Sequence, residues 1–290
     1  MSGTEFNQQN QSLFFNNTIA NGTFIDNNGD MDNQNQPQPT QQPQVIRLER
    51  TTPVLTYGLL ALLAMIFFYA TTLDNSVPVA RFQDGTLITE RELFLLDWAK
   101  INELVFQGEY YRLFTSMFIH LEAMHFFFNA YALYLFGREV ESLYGHVRFA
   151  IIYVLGGLAG SVASLLFTDG LSIGASGAIF AIFAASGVYF YHHQRLFGSG
   201  ARQRLVQMGV LALINIILGV TIPRIDNAAH LGGMLGGFIL AWFMAPEHEI
   251  QGRDVGNPHI VDTNTVRNWV FVPVVFSMAL AIIVVMFSTA

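Results

Sequence analysis

Apolar and polar positions alternate along this chain in long blocks rather than residue by residue. Seven apolar runs are separated by short polar breaks, at about 54–72, 119–137, 148–167, 175–191, 205–222, 228–245 and 269–288. Each is close to the ~20 residues that an α-helix needs to cross a hydrocarbon core of about 30 Å. The pattern predicts an all-α fold: a polytopic membrane helix bundle. Residues 1–50 are dominated by Asn and Gln, as in "NNGDMDNQNQPQPTQQPQ". With so little apolar surface to offset ordering entropy, they are expected to form a disordered tail. Residues 51–246 then form the helical core, 247–268 a polar linker and 269–290 a seventh transmembrane helix. The first loop, 73–118, is polar and acidic, and its partly amphipathic stretch "RELFLLDWAKINELVF" is expected to lie on the membrane surface.

Composition sharpens this reading. The chain is 52% hydrophobic and only 12% charged, against about a quarter charged in ordinary soluble domains. Its net charge of -7 gives no case for a nucleic-acid partner. The chain has no cysteine, which excludes disulfides and thiolate chemistry. Lys and Arg placement sets orientation. With the N-terminus inside, the inner segments hold Arg47, Arg50, Arg138, Arg148, Arg195, Arg202, Arg204, Arg253 and Arg267, and the outer segments hold Arg81, Arg91, Lys100, Arg112 and Arg224. The dense block "HHQRLFGSGARQR" adds to the inner excess. An N-terminus in the cytoplasm is therefore expected. The Asn-x-Ser/Thr triplets at Asn10, Asn16 and Asn21 then never meet a glycosylating lumen.

That orientation brings certain polar residues to one depth. Spans two, four and six run from outside to inside, and near their outer starts lie His125 and Asn129, Ser176, and His230. Ser176 and His230 each stand about fifteen residues, or roughly 22 Å, above the inner ends of their helices. In a core of about 30 Å both lie roughly 8 Å below the outer surface. Polar groups at such depth are costly, and a functional site is the default reading. Taken singly, a histidine between helices or a serine among glycines is as often a packing residue.

The segments "LSIGASGAIF" and "AHLGGMLGGFILA" are rich in glycine. Gly233 and Gly237 share the face of His230, while Gly174 and Gly177 flank Ser176, so the two helices can approach closely. Ser176 is then a candidate nucleophile and His230 a candidate general base and acid. His125 and Asn129, spaced i,i+4, present two donors on one face for an oxyanion, beside the backbone N–H groups at the serine. No carboxylate lies at matching depth; Asp226 falls in the loop before span six. A dyad is the economical reading. His120, His125 and His230 form no recognisable metal motif, so neither a metal nor any other cofactor is expected.

These elements resemble, in the same order, those of the rhomboid intramembrane serine proteases. "GASGAIFA" is similar to the family's nucleophile motif, "AHLGGMLGG" to its histidine helix and "HFFFN" to its oxyanion element. "GEYYRLFTSMFIH" resembles the first-loop element with Arg112 at its arginine and Tyr111 where tryptophan is frequent, and "GREVESLYG" places Glu141 at a structural glutamate. The resemblance covers roughly residues 100–245 and implies a six-helix core with the last span as a 6+1 addition. Phe180 departs from the tyrosine that many relatives stack on the histidine; the ring is kept and the hydroxyl lost. The resemblance implies cleavage of transmembrane-protein substrates near the outer membrane face, within the lipid bilayer, by Ser176 and His230. The alternative is a catalytically silent relative that binds and regulates other membrane proteins. A transporter is disfavoured, because no repeat is visible and the polar residues stop at the outer third.

Overall fold

The computed structural model describes residues 50–81, 85–222, 225–252 and 259–288. The expected tail, its glycosylation triplets, Arg47, Arg224 and Arg253 lie outside the described residues. All seven apolar runs are helical. The helices are α1 (Val54–Thr72), α2 (Glu90–Trp98), α3 (Ala123–Ala132), α4 (Arg138–Phe167), α5 (Ser176–His192), α6 (Ser199–Thr221), α7 (Asn227–Met244) and α8 (Phe271–Ser288). A π-helical turn, Leu133–Gly137, makes α3 and α4 continuous. By length and composition, Val54–Thr72, Ala123–Phe167, Ser199–Thr221 and Val266–Ser288 can cross a membrane, and the 45 residues of the second are enough for two crossings.

The continuous second segment reverses within itself. Gly145 has φ 78° and ψ 167°, a conformation that glycine adopts without steric cost. Contacts on the two sides of Gly145 run in opposite senses. Before it, His125 meets Gly174, Phe136 meets Phe183 and the Tyr144 hydroxyl donates to the Ala185 carbonyl at 2.7 Å, so this part runs parallel to α5. After it, Gly160 faces Gly177 while Gly156 faces Ala181, so this part runs antiparallel to α5. The neighbours of α7 fit the same scheme: it lies parallel to α5, with Gly233 on Gly177 and Gly237 on Ala181.

Residues 146–167 of α4, together with α5 and α7, form the centre of the bundle. Their contacts are made backbone to backbone. A Cβ on Gly160 would stand 2.7 Å from the Ala229 carbonyl oxygen, and one on Gly236 would stand 2.6 Å from the Ala159 Cβ. Around this centre the buried residues include Phe149, Ile152, Tyr153, Ile182, Tyr189, Leu240 and Met244. The outward faces are apolar: Phe127 and Phe128 on α3, Leu213 and Ile217 on α6, and Val275 and Met278 on α8 are exposed. A water-soluble monomer rarely leaves so continuous an apolar surface uncovered. The chain is an integral multi-pass membrane protein.

The first loop is more structured than its polarity suggests. Strands β1 (Pro78–Arg81) and β2 (Leu87–Thr89) form a hairpin, and α2 starts on a capping box between Thr89 and Glu92. Arg112 is buried and gathers the loop: it donates to Glu109 at 2.5 Å, to the Leu96 carbonyl at 2.6 Å and to the Ala99 carbonyl at 3.0 Å. Strands β3 (Lys100–Ile101) and β4 (Leu171–Ser172) then pair, which fastens the loop to the segment before α5.

At the far end, the fully buried Glu141 caps a different helix from its own. Its carboxylate accepts from the Leu55 and Thr56 amides at 2.8 and 2.7 Å, from the Thr56 hydroxyl at 2.6 Å, and pairs with His146 Nδ1 at 2.6 Å. These amides belong to the first turn of α1, where N–H groups lack partners within the helix. Glu141→Ala should cost about 2–4 kcal/mol, because buried donors are left unpaired. A lowered thermal midpoint in detergent would show it.

The linker also carries structure. Strands β5 (His248–Gln251) and β6 (His259–Asp262) pair beneath the bundle. Arg148 donates to Asp262 at 2.6 Å, and the Asn264 amide donates to the carbonyls of Phe243 and Ala245 at 3.0 and 2.7 Å. His248 Nδ1 meets the Tyr189 hydroxyl at 2.9 Å. Burial first, then the neighbouring His193, pushes His248 down to about 4. A free histidine titrates near 6.5, so between that value and about 4 the unfolded chain takes up a proton that the folded hairpin refuses. Hairpin stability should fall as pH drops through this window. Protection of the described hairpin amides, corrected for the intrinsic pH dependence of exchange, should fall from pH 7 to pH 5, and most of that change should vanish in His248→Gln.

Candidate active site

Ser176 is the first residue of α5, so the first-turn amides that lack partners within the helix lie around it. The glycines on either side of it explain its setting. Gly174 has φ +119°, a region that other L-residues rarely adopt, and its amide donates to the Ser116 carbonyl at 2.9 Å. A Cβ on Gly174 would stand 2.6 Å from His125 Nε2, so the missing side chain is the space that the imidazole fills. Gly177, on the other side, would place a Cβ 3.4 Å from the Ala229 carbonyl oxygen, which puts the start of α5 against the residue before His230.

The His230 ring lies over Phe180, with centroids 4.4 Å apart and planes tilted by 33°. Phe180 stands one turn below Ser176 on the same face of α5. His230, Phe180 and Ser176 therefore converge, with His230 Nδ1 buried and without a hydrogen bond to the described residues. Phe180 brings a ring without a hydroxyl to this contact.

His125 and Asn129 share one face of α3. His125 is half-buried against Gly174, whereas Asn129 is buried and donates to the His125 carbonyl at 2.9 Å. That bond engages one of the two amide hydrogens of Asn129. Gly233 and Gly237 lie where α7 meets the backbone of α5 at Gly177 and Ala181. Arg112 and Glu141 are elsewhere: one gathers the first loop, the other caps α1 at the opposite end of the bundle.

Sequence reasoning passed over several neighbours. His120 is buried, its ring lies 5.0 Å from that of His125, and Nε2 accepts a long 3.5 Å bond from the Ala175 amide. A small cavity of about 10 Å³ opens beside Ser176, lined by the hydroxyl residues Ser116, Ser161 and Ser172 as well as by Gly174, Gly177 and Ala229. It has room for about one water. Asp226, read as a loop residue, is the N-cap of α7. The available signal for it was the Asp-Asn pair just before an apolar run, a helix-start pattern.

Residues 107–247 match the family model described as the Rhomboid domain. The chain is 34% identical to rhomboid protease GluP of Bacillus subtilis over 189 residues, 65% of this chain and 34% of that protein. It is 32% identical to RHOMBOID-like protein 2 of Arabidopsis thaliana over 157 residues, 54% of this chain and 48% of that one. With RHOMBOID-like protein 7 of the same plant it shares 32% identity over 170 residues, 58% and 53% of the two chains. The matched region thus spans between a third and about half of the length of these relatives.

Gly174→Ala combines an unfavourable φ with a clash on His125. Labelling of Ser176 by a serine-directed fluorophosphonate should slow by at least about tenfold, since small misplacements of reacting groups carry such costs. Gly170→Ala, also at positive φ but with nothing within 4 Å, supplies the control for backbone strain alone.

Proposed function

We propose that this chain, whose residues 107–247 match the Rhomboid domain model, is an intramembrane serine endopeptidase using a Ser176–His230 dyad. The observation that carries this reading is the His230 ring seated on Phe180, one helical turn from Ser176, with Gly177 and Ala229 in contact between them. Ser176 Oγ attacks the scissile carbonyl carbon while His230 takes the hydroxyl proton. The negative charge that forms on the carbonyl oxygen meets the Ser176 backbone N–H, His125 and the free amide hydrogen of Asn129. The C–N bond breaks as His230 returns the proton to the leaving amine, which leaves an acyl-serine. Water then attacks the acyl carbon, giving its proton to His230, and Ser176 regains its proton as the acid product departs. The cavity beside Ser176 offers that water a place of entry.

The substrates in this reading are transmembrane segments of other proteins, cut near the outer membrane face. The Lys and Arg distribution supports an N-terminus in the cytoplasm, which sets the site toward the opposite side. The chain runs parallel to α5 before Gly145 and antiparallel after it, and α7 again runs parallel to α5, in keeping with a six-helix core and one added span. Gly145 supports one of these reversals without a loop.

Purified protein in detergent should cleave a generic transmembrane substrate, whereas Ser176→Ala and His230→Ala should each lower the rate by at least about a thousandfold. Both variants should stay folded. Equal cleavage by the Ser176→Ala chain, or no cleavage and no fluorophosphonate labelling by the folded unaltered chain, would overturn the assignment.

A further inference from the structure

Among the described residues none hydrogen-bonds to His230 Nδ1, and the ring's position rests on Phe180 and on where α7 begins. That beginning is fixed by one carboxylate. Asp226 Oδ1 accepts from the Ala229 amide at 2.9 Å, and the Asp226 carbonyl accepts from the His230 amide at 3.2 Å. The remaining carboxylate valences reach other elements. Ser164 donates its hydroxyl to Oδ2, Thr168 donates to Oδ1 at 3.0 Å, and Ser172 adds a further hydroxyl. Ser164 and Thr168 close the last turn of α4, and Ser172 lies on β4, four residues before Ser176.

The anchor has a counter-charge below it. Lys100 is fully buried on β3, which pairs with Ser172. Its ammonium donates to Asn102 Oδ1 at 2.7 Å and lies within electrostatic reach of the carboxylates of Asp226, Glu103 and Asp169, without a direct ion pair among the described residues. The Asn102 amide in turn donates to the carbonyls of Leu165 and Thr168 at 3.3 and 3.0 Å. A buried carboxylate is tolerated where hydrogen bonds and an opposite charge surround it, and both are present.

We propose that Asp226 is a positioning residue that holds the start of α7 to α4 and β4 and so sets the His230 ring against Ser176. The inference rests on the dyad reading above only for its kinetic consequence; the placement itself is independent of activity. Asp226 does not touch the reacting atoms. It replaces, through the backbone, the orienting hydrogen bond that His230 Nδ1 lacks.

The native chain contains no cysteine, which permits a test of placement that needs no catalysis. In Ser176→Cys/His230→Cys, a short bifunctional thiol reagent reports how closely the two positions meet. Adding Asp226→Ala should slow crosslinking by at least about tenfold, in line with the sensitivity of reactive pairs to misplacement. Asp226→Asn should restore it to within about twofold, because asparagine caps helices as well as aspartate. With Ser176 and His230 intact, Asp226→Ala should lower kcat by at least about tenfold with KM within about twofold, the pattern of an interaction realised in the transition state. Asp226→Asn should recover most of it. If Asp226→Ala fails to fold, Ser164→Ala/Thr168→Val keeps the cap while removing two anchors, and it should show the same crosslinking loss.

Unchanged crosslinking in these backgrounds would overturn the proposal, as would an asparagine variant as impaired as alanine. An unaltered chain without protease activity would overturn the function proposed above, while the crosslinking series would still decide the role of Asp226.

Discussion

The centre of this protein is held by the absence of side chains. Residues 146–167, α5 and α7 meet through Gly156, Gly160, Gly233 and Gly237, at separations that leave no room for a Cβ, with Gly177 in contact with Gly160 and Ala229. In lipid, apolar side chains gain little by leaving their surroundings, so close packing of backbones is a main source of helix association. The active-site geometry follows from that packing. Ser176 and His230 are each adjacent to the Gly177–Ala229 contact, and neither side chain needs to be long to reach the other helix. A methyl group on Gly233, whose Cβ would stand 2.1 Å from the Gly177 carbonyl oxygen, would separate the two helices near the level where the chemistry is proposed.

Polar groups do a different job here, at the ends of helices rather than along them. Glu141 caps α1 from another helix, Asp226 caps its own helix while receiving hydroxyls from the end of α4 and from β4, and Asn264 closes the end of α7. Each satisfies backbone groups that a helix terminus leaves unpaired. The fold therefore has a nonpolar middle with freedom to pack by shape, and polar knots that fix where each helix starts and stops.

Much of this was legible in the sequence, for physical reasons that can be named. The apolar runs were visible because hydrocarbon imposes a length, and Ser176, His230, His125 and Asn129 stood out because polar residues are expensive there. The glycine spacing of α7 carried the close approach. The rest depended on partners distant in the chain. Glu141 looked structural, but the amides of Leu55 and Thr56 that it serves lie 86 and 85 residues away. Asp226 was set aside as a loop residue because its depth was reckoned from its own helix, whereas Ser164, Thr168 and Lys100 come from elsewhere. The reversal between the second and third runs was legible from the polar break "REVESLYGHVR", but its placement on Gly145 inside a continuous helix was not. The hairpins of the first loop and the linker are short strands without a strong alternation.

The two-residue ladder between β3 and β4 joins the first loop to the strand that leads into Gly174 and Ser176. A helix arriving from the lipid and pressing that loop outward would pull on the same ladder. Tension there would be felt at Ser172, and through it at both the serine and the carboxylate that seats the histidine helix. The first loop, the start of α5 and the start of α7 are thus mechanically joined through one short ladder.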